Sequence, residues 1–361
     1  MTRRPERVDG THSRDARLAV ALTVGAGVVV AAAMALTLLG GSDGDRQQHL
    51  GGPSATFSVT TPPDGPATAV GDIADLIPKR GAFVGAAVQA RTGGDEARVG
   101  AVTDFEKAVG RQVDLVHVYS QIDDDWPRAS DLALMQDGRR LLLSWNGMDM
   151  QAVADGSQDG LIRERARSML KVPGPFWLMF RGEMDRPNLR KSVPTPEVYV
   201  AAWKHTREIF DEVGVTNAAW VWCPTSKAFT EGRAAAYYPG DSEVDWTCSD
   251  VYPGPDLQPF TVAAKEFIAF TNAHHHPAMV GEFGLAERDG QRAQWLSAAA
   301  AAIRATPSIK AVAYFNGNND AKGARAQLSL LGFADSVNAF HDILATPSFN
   351  TSNLPLSPAK P

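Results

Sequence analysis

The segment FWLMFRGEMD, residues 176–185, joins five consecutive apolar residues to a polar end that contains Glu183. A short apolar run of this kind is typical of a strand that is buried on both faces of a parallel sheet. The eight runs of this type start 26 to 42 residues apart, which leaves room for a strand, a helix and two loops in each repeat. The other seven lie at residues 82–89, 113–120, 139–147, 218–224, 244–252, 277–284 and 309–317.

The intervals between these runs have helical patterns. Residues 198–214 carry apolar side chains at helical spacing and end in glycine, and residues 289–307 end in proline. Eight strand–helix units over roughly 270 residues predict a (β/α)8 TIM barrel of the α/β class. A doubly wound open sheet is the structural alternative, but its first strand would normally precede a Gly-rich nucleotide loop, and residues 81–90 do not follow that pattern.

The chain before the barrel begins with an Arg-rich tail, residues 1–17, followed by 22 uncharged residues from Leu18 to Leu39. A run of this length predicts a transmembrane helix, and the positive flank predicts a cytoplasmic tail with the remainder of the chain outside the cell. A cleaved signal peptide, which would release a secreted protein, is the rival interpretation. Residues 40–79 are predicted to be a flexible linker, residues 80–348 the barrel, and residues 349–361 a disordered tail.

Composition narrows the possible partners. The net charge is −6 and no long basic stripe follows residue 17, which argues against nucleic acid as a partner. The only two cysteines, Cys223 and Cys248, lack the spacing of a zinc site and are expected to be small buried apolar residues, with a single bridge between them as the alternative. The run His274–His276 is interpreted as a solvated loop, so the sequence predicts neither a metal site nor a cofactor.

Polar side chains at the strand ends are the candidates for chemistry, because the active site of a barrel gathers at the C-terminal ends of its strands. Glu183 and Glu282 each end an apolar strand, where an unpartnered carboxylate would be costly to bury. Two carboxylates flanking one bond are the requirement for glycoside hydrolysis. A structural ion pair, with Arg181 as one member, is the alternative interpretation.

Five segments, in this order and at barrel spacing, resemble glycoside hydrolase family 26, a family of β-mannanases and related β-glycanases. The resemblance extends from Gly81 to Asn316. It rests on FWLMFRGEMD (176–185), TPEVYVAAWKHTREIFDEVGVTNAAWVWCP (195–224), AAYYPGDSEVDWTCSDVY (235–252), PAMVGEFGLAERDGQRAQWL (277–296) and IKAVAYFN (309–316).

The resemblance implies a retaining mechanism with Glu183 as acid/base and Glu282 as nucleophile. It implies that Tyr252 hydrogen-bonds the nucleophile and that Trp145 and Trp222 shape the floor on which the sugar binds. The remaining substrate-binding candidates are the strand-end residues Arg181, Asp185, Phe315 and Asn316.

The chain departs from the family pattern beside the acid/base. Gly182 stands where the family usually has histidine, and Asp185 stands where it has asparagine. We hypothesise that Gly182 leaves a gap that water or Arg181 fills. An arginine there would hold the carboxyl ionised, or would pair with the charge of an acidic sugar, so the usual mannan specificity is in doubt.

The sequence therefore predicts a membrane-tethered, extracellular endo-β-glycanase that hydrolyses a β-linked polysaccharide of the mannan type or a related glycan. One alternative is a catalytically weak barrel that binds polysaccharide at the cell surface. Another is a hydrolase that processes exopolysaccharide or cell-envelope glycans, which the membrane anchor favours.

Overall fold

Eight parallel strands pair in chain order and the last pairs with the first, which closes a barrel. They are seen in a computed structural model that describes residues 71–288, 290–317 and 327–361. The predicted (β/α)8 barrel is confirmed. Its strands are β1 (Phe83–Val88), β2 (Leu115–Gln121), β3 (Arg140–Asn146), β4 (Phe176–Phe180), β5 (Ala218–Trp222), β6 (Trp246–Val251), β7 (Ala278–Phe283) and β8 (Ile309–Asn316).

Helices connect the strands and pack outside them. The longest helix, Pro196–Val213, shows which residues begin and end such an element. Thr195 caps its start by accepting a hydrogen bond from the Val198 N–H, and Pro196 occupies its first turn. Gly214 ends it at φ 85°. The helices are α1 (Asp95–Val109), α2 (Ala129–Gln136), α3 (Met150–Ala154), α4 (Asp159–Met169), α5 (Pro196–Val213), α6 (Ser226–Thr230), α7 (Phe260–Ala263), α8 (Lys265–His274), α9 (Gln291–Arg304) and α10 (Ala334–Ala345).

Strand β4 explains why the apolar runs are continuous rather than alternating. Trp177 and Met179 pack among the side chains that fill the barrel, whereas Phe176, Leu178 and Phe180 pack in the layer between the strands and the helices. Both faces of each strand are therefore buried, as in other barrels. Polar residues are tolerated where the strands end, and this places the candidate site on the C-terminal rim.

The barrel domain begins earlier than the sequence predicts. Residues 71–79, assigned to the flexible linker, include a 3-10 helix at Ile73–Leu76 that Asp72 caps through the Ala74 N–H. Leu76 is fully buried and packs with the side chains inside the barrel. This part of the linker prediction is wrong, because one leucine at the bottom of the barrel joins the segment to the core.

The end of the chain also belongs to the fold. Phe349 is buried, the Ser357 N–H donates to the Gly110 carbonyl at 2.7 Å, and the Lys360 N–H donates to the Ala108 carbonyl at 2.8 Å. The prediction of a disordered tail at 349–361 is wrong, because these backbone bonds hold the tail against the end of α1. Polar, Pro-rich composition alone did not distinguish an extended docked segment from a disordered one.

The predicted membrane span, Leu18–Leu39, lies outside the described residues, as do the Arg-rich tail, predicted to be cytoplasmic, and most of the predicted linker. Within residues 71–288, 290–317 and 327–361, no helix combines the length and the apolar character needed to cross a bilayer.

Cys223, directly after β5, and Cys248, inside β6, form a disulfide, with their Cα atoms 4.3 Å apart. Both residues are fully buried. The expectation of two unpaired apolar cysteines is wrong, since neighbouring parallel strands bring two inward-facing side chains to the same level. The spacing of 25 residues in the sequence does not reveal this proximity.

Candidate active site

Two carboxylates face each other across the C-terminal rim. Glu183 follows β4, and Glu282 lies near the end of β7. Both line two adjoining cavities with volumes of about 710 and 310 Å³, and Tyr119 and Arg186 line both as well. The open space therefore continues on either side of the carboxylate pair.

The backbone around Glu183 is held in an unusual conformation. Arg181 and Glu183 adopt φ angles of 52° and 53°, in the left-handed region that side chains normally avoid. The Arg181 N–H donates to the Trp145 carbonyl at 3.0 Å, and the Glu183 N–H donates to the Cys223 carbonyl at 2.8 Å. Each such residue costs about 1–3 kcal/mol, and residues of this kind concentrate at functional sites. The bonds to β3 and β5 hold the end of β4 in this form.

The cation beside the Glu183 carboxylate is Arg186, whose guanidinium forms an ion pair with Oε2. The charge of Glu183 and this hydrogen bond raise the pKa of Arg186. Arg181 instead donates from Nη2 to the Ser192 hydroxyl at 3.1 Å. The hypothesis that Arg181 moves in beside the acid/base is therefore wrong; the residue three positions beyond Glu183 takes that place.

Gly182 does not leave a gap. A Cβ atom added there would lie 2.6 Å from the Met179 sulfur. The flexible Met179 side chain occupies the space that the sequence assigned to water or arginine. A side chain at position 182 therefore requires Met179 to move.

Glu282 is held from both sides by phenol groups. The Tyr119 hydroxyl donates to Oε1 at 2.7 Å and the Tyr252 hydroxyl donates to Oε2 at 2.8 Å. Burial, followed by the charge of Glu183, raises the pKa of Glu282 to about 7, while the two phenol hydrogen bonds and Arg186 act in the opposite direction. The two hydroxyls fix the orientation of the carboxylate.

A third carboxyl lies behind the pair. Asp250 is buried, lines the smaller cavity and sits at a register irregularity between β6 and β7. Burial and then the charges of Glu282 and Glu183 raise its pKa well above the ordinary range. Asp250 therefore holds a proton more readily than an exposed aspartate does.

His117 supports Tyr119 from below. Its Nε2 lies 2.7 Å from the Ser144 hydroxyl and its Nδ1 lies 3.1 Å from the Gly281 carbonyl oxygen. The imidazole stacks on the Tyr119 ring with the ring centres 4.4 Å apart. Burial lowers the pKa of His117 to about 3, so the ring is neutral and acts as a rigid hydrogen-bonding support.

Two predicted sugar-binding residues are absent from the cleft. Trp145 is 1 % exposed and packs against Phe180 and against Phe210 of α5. Trp222 is fully buried, and its indole N–H donates to the Tyr237 carbonyl at 2.9 Å. Both side chains point outward toward the helices, so the prediction that they form the sugar-binding floor is wrong.

Of the remaining predicted substrate-binding residues, one lines the cleft and two form hydrogen bonds with loops of the rim. Phe315 lines the larger cavity beside Tyr119. Asn316 accepts a hydrogen bond from the Leu330 N–H at 2.8 Å, and Asp185 accepts bonds from the Thr225 N–H and hydroxyl at 2.8 and 2.6 Å. Asn316 and Asp185 line neither cavity. They hold loops of the rim, which corrects their assignment to substrate binding.

Sequence reasoning left Arg186 and Tyr119 out of the site. Arg186 precedes a proline in a polar loop, a context with no distinctive pattern, and only its reach back to Glu183 marks it. Tyr119 was recognisable as an aromatic side chain near the C-terminal end of β2, the rim on which barrel sites form.

The histidine loop has a neighbour that the sequence did not indicate. His274 Nδ1 lies 2.7 Å from a carboxylate oxygen of Asp241, and His276 Nε2 lies 3.7 Å from the same atom. These residues precede β6 and β7, at the end of the barrel opposite the carboxylate pair.

Within the described residues, one other group has potential metal ligands close together. The ligand atoms of Cys223, Cys248 and Asp250 lie within 4.8 Å of one another. The sulfurs of Cys223 and Cys248 are bonded to each other in the disulfide.

A closed (β/α)8 barrel that brings two carboxylates into one open cleft on its C-terminal rim has the architecture of a carbohydrate-active barrel. Residues 187–311 match the glycosyl hydrolase family 26 profile, a range that includes Tyr252 and Glu282 and starts four residues after Glu183. This stretch, 125 of the 361 residues, is similar to glycosyl hydrolase family 26.

The chain is also similar to a named endoglucanase and to solved β-mannanases. Endoglucanase H of Acetivibrio thermocellus is 27 % identical over 246 residues, which cover 63 % of this chain and 27 % of that protein. This chain thus spans about a quarter of the length of the curated relative. A family 26 β-mannanase from Bacteroides ovatus superposes with a TM-score of 0.59 at 18 % identity, over 75 % of this chain and 90 % of that one. The catalytic domain of an endo-β-1,4-mannanase from Bacillus sp. JAMB-750 gives 0.61 at 14 % identity, over 80 % and 95 %. At these identities the two structures establish the fold alone.

Proposed function

We propose that this chain is a retaining endo-β-glycanase in which Glu282 attacks the anomeric carbon and Glu183 protonates the leaving oxygen. The observation that carries the proposal is the pair of carboxylates lining one cleft, with Glu282 oriented by two phenol hydroxyls. Attack displaces the leaving sugar and forms a glycosyl ester on Glu282. Glu183, now deprotonated, takes a proton from the water that hydrolyses this ester.

Endo action is supported by the shape of the site. One cavity extends from the pair toward β1, β2 and β8, and the other extends past Gln121, Asn146 and Leu189. A polysaccharide that passes through both has its scissile bond in the middle of the bound segment. The named relatives, an endoglucanase and β-mannanases, support β-1,4-glucan and β-1,4-mannan as the first backbones to assay.

The test is hydrolysis of a polysaccharide panel by the full-length chain, followed by reducing-end detection and by NMR of the first anomer released. Retention of the β configuration and a rapid fall in polymer length support the proposal. Binding of polysaccharide without any cleavage would support the binding-barrel alternative instead.

The two phenol hydroxyls predict a specific pH dependence. Each hydrogen bond stabilises the ionised form of Glu282, so Tyr119→Phe and Tyr252→Phe should each raise the pKa of Glu282 above its value of about 7. A nucleophile must be ionised, so activity is lost as the pH falls through that pKa. The acidic limb of the kcat/KM profile should therefore move to higher pH in both variants, as measured by initial rates from pH 5 to 9.

Tyr238→Phe provides the matched control. The Tyr238 hydroxyl donates to Asp241 at 2.8 Å, outside both cavities, and its removal should leave the profile in place. An acidic limb that moves to lower pH, or does not move, in both active-site variants would contradict the assignment of Glu282 as the titrating nucleophile.

We propose further that Leu18–Leu39 anchors the barrel to the outer side of the cell membrane through a linker that ends by residue 70. The support is the 22-residue uncharged run behind an Arg-rich tail. Protease added to intact cells should release the barrel, whereas the same treatment should spare a cytoplasmic marker. Complete protection of the barrel would overturn this topology, and barrel in the medium without protease would indicate cleavage of the segment.

A further inference from the structure

Arg181 is a buried cation with few partners. Its side chain lines the smaller cavity, and the residue is 8 % exposed. Nη2 donates one hydrogen bond to Ser192, while Nε is buried without a partner. In the part of the chain that the structure describes, no carboxylate lies within 4.0 Å of this guanidinium. A guanidinium has five N–H donors, and leaving a buried charge unpaired is costly.

Arg186 lines the same cavity and is paired with the proposed general acid. Its side chain is 49 % exposed, so a ligand in this cavity can contact it. The Arg186 guanidinium is bonded to Oε2 of Glu183, so this ion pair occupies one oxygen of the carboxyl that would protonate the leaving group. A ligand that drew Arg186 away from Glu183 would free that oxygen to face the leaving group.

The cleft has few aromatic surfaces for neutral sugars. All eight tryptophans of the chain are at most 8 % exposed, and none lines either cavity. Among the residues that the structure describes, the tyrosine, phenylalanine and tryptophan side chains that line the cavities are Tyr119 and Phe315 in the larger and Tyr119 in the smaller. Charged groups rather than flat rings therefore dominate the recognition chemistry of the smaller cavity.

Building on the proposed function, we propose that the substrate is an acidic β-glycan, and that Arg181 and Arg186 bind the carboxylate of a sugar unit in the smaller cavity. A carboxylate matches the planar fork of a guanidinium and can accept two parallel N–H bonds. It gives Arg181 a counter-ion, which none of the described carboxylates supplies within 4.0 Å. It also competes with Glu183 for Arg186, so binding of the correct substrate prepares the general acid.

The experiment compares substrates that differ only in charge. β-1,4-Mannan and β-1,4-glucan are partially oxidised at C6 to uronic acids, and part of each preparation is then reduced back to the neutral alcohol. With the full-length chain, kcat/KM should be at least about tenfold higher on the oxidised form, the effect of one charged hydrogen bond. Arg181→Gln and Arg186→Gln should each reduce this ratio toward one.

Arg163→Gln is the charge-matched control. Arg163 forms an ion pair with Glu212 between α4 and α5, outside both cavities, so its loss should leave the ratio unchanged. Arg186 is on the surface of the cleft, so its variant keeps the test decisive if the buried Arg181 variant does not fold. Binding is measured separately by calorimetry, with Glu282→Gln and oxidised or neutral oligosaccharides.

The outcomes separate the two proposals. Equal or better cleavage of the neutral preparations, with a ratio unaffected by the arginine variants, overturns the acidic substrate and leaves the endo-β-glycanase in place. Tighter binding of the oxidised oligosaccharide without cleavage of any preparation supports acidic recognition and overturns the hydrolase. Neither binding nor cleavage overturns both.

Discussion

Glu183→Ala and Glu282→Ala should lose hydrolytic activity in different ways. Without Glu282 no glycosyl-enzyme ester can form, so activity on every substrate should be lost. Without Glu183 the loss should be about 10²–10⁴-fold on polysaccharide, because the leaving oxygen lacks its proton donor. Aryl glycosides with acidic phenols leave without that proton, so they should retain more of the first step. Steady-state and burst kinetics of both variants on the two substrate types provide the measurement.

Azide distinguishes the two roles directly. In Glu183→Ala the ester on Glu282 forms but water lacks its base, and azide, which needs no base, should accelerate turnover and yield a β-glycosyl azide. Azide should not rescue Glu282→Ala through this route. Glu197→Ala, on the surface at the start of α5, serves as the control and should keep wild-type rates. Near-wild-type cleavage of polysaccharide by either site variant would refute the roles proposed for Glu183 and Glu282.

Replacing both Cys223 and Cys248 by alanine should lower the free energy of unfolding by about 3 kcal/mol. The disulfide closes a loop with a sequence separation of 25 residues, and bridges of this size typically contribute 2–4 kcal/mol. It joins β5 and β6 beyond their paired residues, Val221 with Trp246 and Trp222 with Thr247. Urea unfolding of wild type and double variant, with and without reductant, measures the effect.

Reductant supplies the internal control for this prediction. It should lower the urea midpoint of the wild type and leave that of the double variant unchanged. Activity should also fall, since the Cys223 carbonyl holds the Glu183 backbone N–H in place. Equal midpoints for the wild type in both conditions would show that the bridge is not formed or does not stabilise the barrel.

The proposed catalytic pair could be predicted from the sequence because of a property of the fold. Parallel barrel strands end on the same rim, so two glutamates that each follow an apolar run must converge, however far apart they are in the chain. Glu183 and Glu282 meet this condition. Tyr252 was placed beside Glu282 by family resemblance, and its hydroxyl does contact that carboxylate.

The positions of the side chains around the two glutamates could not be predicted in the same way. Trp145 and Trp222 end strands as the glutamates do, yet they point toward the helices. In a strand buried on both faces, the inward and outward positions are equally apolar, so the sequence does not reveal which face is which. Arg186 is local in sequence but reaches Glu183 only because the chain turns through two left-handed residues.

The sequence by itself determined the barrel and the position of its two glutamates, because both depend on strand–helix periodicity and on the shared rim of parallel strands. Tertiary structure alone decided that Cys223 bonds Cys248, that Met179 fills the space at Gly182, and that residues 349–361 dock on the barrel. These features arise between segments far apart in the chain. They depend on strand register and side-chain direction, which no local pattern of apolar and polar residues encodes.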